Sequence, residues 1–71
     1  MKKYKVIKDI ICFMSIDTGN GSNLCAIVHI NAGQEVIHVE NDKQFPLVTK
    51  VIIDDPNVTY QILNKYLEEI K

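Results

Sequence analysis

The stretch from Leu24 to Val39, LCAIVHINAGQEVIHV, constrains this chain more than any other. Two runs rich in β-branched residues flank Asn31-Ala32-Gly33-Gln34, a polar break with a glycine, which is the local signature of a β-hairpin. A two-residue type I′ loop would force positive φ on Ala32. A four-residue loop around a type I turn is therefore expected, with Ile30 facing Glu35. That register puts Leu24, Ala26, Val28, Ile30, Ile37 and Val39 on one apolar face. It leaves Cys25, Ile27, His29, Val36, His38 and Glu40 on the other. A slip by one residue would drag His38 and Glu40 onto the apolar face, and burying an unpaired charge costs several kcal/mol.

The rest of the chain is arranged around this hairpin. The even positions Ile10, Cys12, Met14 and Ile16 are apolar, and the Val and Ile content over 4–17 favours a strand over a short helix at 4–11 carrying Tyr4, Ile7 and Ile11. Thr18 to Asn23, TGNGSN, is a polar loop. It leads into a strand instead of a helix N-terminus and lacks a Lys-Ser/Thr pair, so it is not a phosphate-binding loop. Strands are expected at about 4–17, 24–31, 35–41 and 45–53, the last with Pro46 near its start. Asp54-Asp55-Pro56 has the residues of a helix start, a capping carboxylate followed by proline at the first helical position. A helix over about 56–70 would carry Thr59, Tyr60, Leu63, Tyr66, Leu67 and Ile70 on its apolar half, with Ile62 at the flank. The expected fold is α+β: a four-stranded antiparallel β-meander with one C-terminal α-helix packed on one face, ββββα, in a single domain spanning 1–71.

Size and charge narrow the function. A chain of 71 residues buries only about 60% of its unfolded surface, so contact with a partner would add stability. The net charge of −1, with eight lysines and no arginine, gives no general attraction to nucleic acid or anionic membranes. Cys12 and Cys25 are expected on different sheet faces as free thiols, which suits a reducing compartment. The basic, apolar start MKKYKVIKDIICFMSI is interrupted by Lys8 and Asp9 and has no small-residue cleavage site, so it reads as structure; the expected location is the cytoplasm.

Candidate chemistry is sparse. Asp17-Thr18-Gly19 after Met14-Ser15-Ile16 resembles the active-site triplet of retroviral-type aspartic proteases. The glycine of the bracing element is missing from Val51-Ile52-Ile53-Asp54, and the triplet is read as a turn. In the hairpin register His29 and His38 are diagonal neighbours, too few for a closed zinc site without two further ligands. No metal, cofactor or catalytic group is expected, and the chain is read as a non-enzyme.

Geometry points elsewhere. One helix covers one face of a small sheet, which leaves Ile11, Phe13, Ile27 and Val36 open with His29 and His38 beside them; such apolar clusters mark interfaces. The expected function is that of a small non-catalytic interaction protein working as a homodimer with a further protein partner. The arginine-free, Ile/Lys/Asn/Asp-rich composition suits a phage- or mobile-element-type inhibitor of a host or defence protein. The alternative is a nucleic-acid-binding module, with Lys2, Lys3, Lys5 and Lys8 on phosphates and Phe13 and Tyr4 stacking on bases.

Overall fold

The computed structural model describes residues 2–71, and among these it contains seven β-strands and no α-helix. The strands are β1 (Lys3–Val6), β2 (Ile10–Asp17), β3 (Asn23–Ile30), β4 (Glu35–Asn41), β5 (Val48–Ile52), β6 (Val58–Leu63) and β7 (Leu67–Ile70), with one 3-10 turn at Asn64–Tyr66. All neighbours are antiparallel, in the order β3-β2-β6-β5-β4-β1-β7. The α+β meander with a C-terminal helix is thus replaced by an all-β sheet.

The expected hairpin between 24–31 and 35–41 does not form. β3 pairs with β2, whereas β4 pairs with β1 and β5. One long hairpin runs through the first half of the chain: Asp17 pairs with Asn23 near its tip, Ile10 with Ile30 in the middle and Lys3 with Ile37 at its far end. Every one of these pairs sums to the same number, so the register is unbroken. Both arms bend together, one at Ile7–Asp9 and the other at Asn31–Gln34. At this corner the Val6 N–H donates to the Gln34 carbonyl at 2.9 Å and the Gly33 N–H donates to the Val6 carbonyl at 2.7 Å. The Ala32 N–H donates to Asp9 Oδ1 at 2.8 Å. Gln34 N–H closes the turn on the Asn31 carbonyl, and Gly33 takes φ +94°, which a type II turn requires at its third residue. A type II turn splays strands that a hairpin would hold together, so the chain turns a corner here instead of reversing.

The corner determines which residues are buried. A hairpin would swap odd and even faces across 31–34, whereas a bend keeps them. Val6, Ile10, Cys12, Ile30 and Val36 therefore all point to one side and join Val51 and Ile62 in a single buried cluster. The sheet must also curl. Flat, it would set β2 and β1 four strand spacings apart, roughly 19 Å, yet the three residues Ile7–Asp9 can bridge at most about 14 Å. The concave side of that curl holds the core. Burial pushes the buried Cys12 thiol above its usual range, and burial followed by the nearby Asp54 carboxylate does the same to Tyr60, which is partly buried against the core.

Beyond the corner, two turns displace expected elements. The Val48 N–H donates to the Phe45 carbonyl at 2.9 Å, so Phe45-Pro46-Leu47 belongs to a turn and the strand expected from 45 starts at Val48. Asp55-Pro56-Asn57 also closes as a turn. The Val58 N–H donates to the Asp55 carbonyl at 3.0 Å, and Asn57 N–H to Asp55 Oδ1 at 2.9 Å. Asp at the first and Pro at the second position serve a β-turn as well as they serve a helix start. The β-branched and aromatic residues that follow then alternate as a strand, with Ile62 buried and Leu63 exposed.

Candidate interaction surface

The outer, convex side of β2 and its neighbours carries the chain's most unusual chemistry. The odd residues of β2 point outward, and the register sets Ile11 opposite His29 and Phe13 opposite Ile27 on β3. On the other flank Phe13 lies opposite Gln61 of β6, and Leu63 of β6 opposite Val48 of β5. Ile11, Phe13, Ile27, Phe45 and Leu47 are each 57–73% exposed. A groove of about 380 Å³ runs among Ile11, Phe13, Ile27, Phe45, Leu63 and Tyr66, with no charged residue in its lining. At its end Lys8, Asp9 and His29 border a second, more open hollow. An apolar centre with polar residues at the rim is the common anatomy of a protein-binding patch.

Asn64 positions the side of this surface that the sequence did not reveal. Its N–H donates to the Leu47 carbonyl at 2.8 Å, and its Nδ2 to the Pro46 carbonyl at 3.2 Å. Its Oδ1 accepts from the hydroxyl of buried Thr49. From the other end Asp42 Oδ1 accepts from the N–H of Gln44 and of Phe45, at 2.9 and 3.0 Å. The loop carrying Phe45 and Leu47 is thus tied to the sheet, which holds two large apolar side chains in water at a fixed place. The signal was the apolar pair around Pro46, whose proline marks a turn and whose neighbours therefore need not be core.

Six residues were expected at an open face, and the structure separates them. Ile11, Phe13, Ile27 and His29 lie together on the outer side of the β2–β3 pair. Val36 does not: it is 1% exposed and belongs to the core, because the corner keeps it on the concave side. His38 shares that inner side, opposite buried Val51. It is half-buried with its ring 6.0 Å from that of Tyr4 and its Nε2 3.1 Å from Asn41 Oδ1. The two histidines therefore sit on different strands and opposite faces, and they are not diagonal neighbours. Tyr4 faces inward and Phe13 outward, so these two aromatics cannot form one stacking platform for bases.

The remaining chemical motifs resolve into turns. Asp17 Oδ1 accepts from the Gly19 N–H at 2.8 Å, and the Thr18 hydroxyl donates to the Ser22 carbonyl at 2.8 Å. Asp-Thr-Gly is thus the tip of the long hairpin, exposed and satisfied locally. Both cysteines are free, Cys12 buried and Cys25 exposed. Among the described residues no three metal-ligating side chains gather, and no helix is long and apolar enough to cross a membrane.

Comparison with protein-family models, curated proteins and solved structures gives no match.

Proposed function

We propose that this chain is a non-catalytic interaction protein that works by docking its convex apolar face on another protein. One observation carries the reading: Ile11, Phe13, Ile27 and Phe45 line an uncharged groove, Leu47 follows on the Phe45 loop, and all five stand more than half in water. Isolated apolar residues on a surface are ordinary, but a contiguous cluster of large ones is a liability unless something covers it. The uncharged groove with its rim of Lys8, Asp9 and His29 favours a protein surface over a phosphate backbone, which would call for a field of cations. Occupying a surface is the action of an inhibitor, and the arginine-free composition suits one encoded by a phage or mobile element and acting on a host or defence protein. The two free thiols, one of them exposed, support a reducing compartment such as the cytoplasm.

The test is capture of partners from host extract on immobilised protein, wild type beside Phe13→Asp. Retention of one defined protein by the wild type, lost at least tenfold in the folded variant, supports the reading. Equal retention by both would remove this face as the docking surface, and recovery of defined nucleic acid by the wild type would favour the nucleic-acid alternative.

A further inference from the structure

The two edges of the sheet are protected very differently. β7, at one end, has four residues, two of them glutamates (Leu67-Glu68-Glu69-Ile70), and brevity and charge both discourage further pairing. β3, at the other end, has eight residues, Asn23-Leu24-Cys25-Ala26-Ile27-Val28-His29-Ile30. It contains no Lys, Asp, Glu or Pro, and its ladder with β2 runs without a bulge from Asn23 to Ile30. Such an edge is a template for another strand.

Its free hydrogen-bonding groups can be assigned. At the hairpin tip the Thr18 N–H donates to the Ser22 carbonyl at 3.2 Å. Hydrogen-bonded and non-bonded pairs alternate along an antiparallel ladder, so the even residues of β3 bond to β2. The same alternation leaves the N–H and C=O groups of Asn23, Cys25, Ile27 and His29 directed at the open edge.

We propose that the occupant of this edge is β3 of a second copy, joined antiparallel about a two-fold axis at Ala26 to make one continuous sheet. This centre is singled out by complementarity. It pairs Asn23 with His29 of the other copy and Cys25 with its Ile27, so all four edge-directed residues are used; at two bonds per pair that is about eight backbone bonds. The closest approach on the axis falls to Ala26, the smallest side chain of the strand. Leu24, 60% exposed in one copy, meets the half-buried Val28 of the other. Asn23 and His29 face each other as polar partners, and no charge opposes its own copy anywhere along the strand. Isologous pairing of this kind closes at two and does not propagate, because β7 blocks the far edge. The proposal goes beyond the docking face: it uses the edge of β3, leaves Phe13 and Phe45 free, and sets the two convex apolar patches side by side.

Sedimentation equilibrium and oxidative cross-linking test it. The wild type should be a dimer at tens of micromolar. Ala26→Lys, an exposed position, should be a folded monomer because two ammonium groups would meet on the axis. In a Cys25→Ser background, Ala26→Cys should form a disulfide dimer under a mild thiol oxidant, whereas Leu24→Cys should not, since Leu24 faces Val28 and not itself. A wild type that stays monomeric at high micromolar concentration, a dimer that survives Ala26→Lys, or equal cross-linking at positions 24 and 26 would overturn the proposal. None of these results touches the docking face, which depends on Phe13.

Discussion

Val36→Asp should leave a chain that does not fold, whereas Phe13→Asp should melt within a few degrees of wild type. Both substitutions put a carboxylate in place of an apolar residue on a β-strand, and the difference lies in what surrounds them. Val36 is 1% exposed, paired with Tyr4 on β1 and packed in the cluster with Val6, Val51 and Ile62. Among the described residues no lysine belongs to that cluster, so the aspartate would be buried unpaired or would have to take up a proton, at a cost of several kcal/mol. A domain of this length has roughly 4–10 kcal/mol of stability in all. Phe13 already stands mostly in water, and its replacement should change stability by about 1 kcal/mol or less. Near-UV circular dichroism and thermal melting of the two variants check this. A Val36→Asp protein that melts like wild type would put Val36 on an open face.

The second large effect separates two adjacent residues. Ile62→Ala should cost about 2–5 kcal/mol, as large-to-small changes in a packed core do, and Leu63→Ala about 1 kcal/mol. Ile62 is fully enclosed opposite Thr49 on β5, while Leu63 points outward along the groove. A helix over 56–70 gives the opposite ranking, with Leu63 at the centre of the buried stripe and Ile62 at its edge. Urea denaturation of the two variants distinguishes them, and a larger loss for Leu63→Ala would contradict a strand at Val58–Leu63.

Much of the local pattern was legible in the sequence. Alternation at Ile10, Cys12, Met14 and Ile16 identified a strand, Thr18–Asn23 a loop, and the runs on either side of Asn31–Gln34 two further strands. What was hidden is which strand lies beside which. Asn31-Ala32-Gly33-Gln34 serves a hairpin and a corner equally well, and the choice is made far away, by Val6 and Asp9 bonding to the turn. Because the corner preserves the alternation that a hairpin reverses, one misassigned turn moved Val36 and His38 to the wrong side, although Ile11, Phe13, Ile27 and His29 remained together outside. Asp55-Pro56 is ambiguous in the same way, since one pair of residues fits a β-turn and a helix start. In Val58–Leu63 the β-branched and aromatic content carried more information than the helical spacing of Tyr60, Leu63 and Leu67. The strand expected from Phe45 starts only at Val48, and Phe45 and Leu47 reach the surface through a turn at Pro46.

β2 lies between β3 and β6, and that placement both builds the convex apolar face and leaves the β3 edge open. Non-bonded antiparallel pairs bring their Cα atoms to about 4.5 Å, close enough for strong proton–proton cross-relaxation between Hα atoms. The register makes Phe13 with Ile27 and Met14 with Tyr60 pairs of this kind. A nuclear Overhauser spectrum should therefore show Hα–Hα cross-peaks for Phe13–Ile27 and for Met14–Tyr60. Helical cross-peaks through 58–70, or an Ile27–His38 contact in place of Phe13–Ile27, would contradict it.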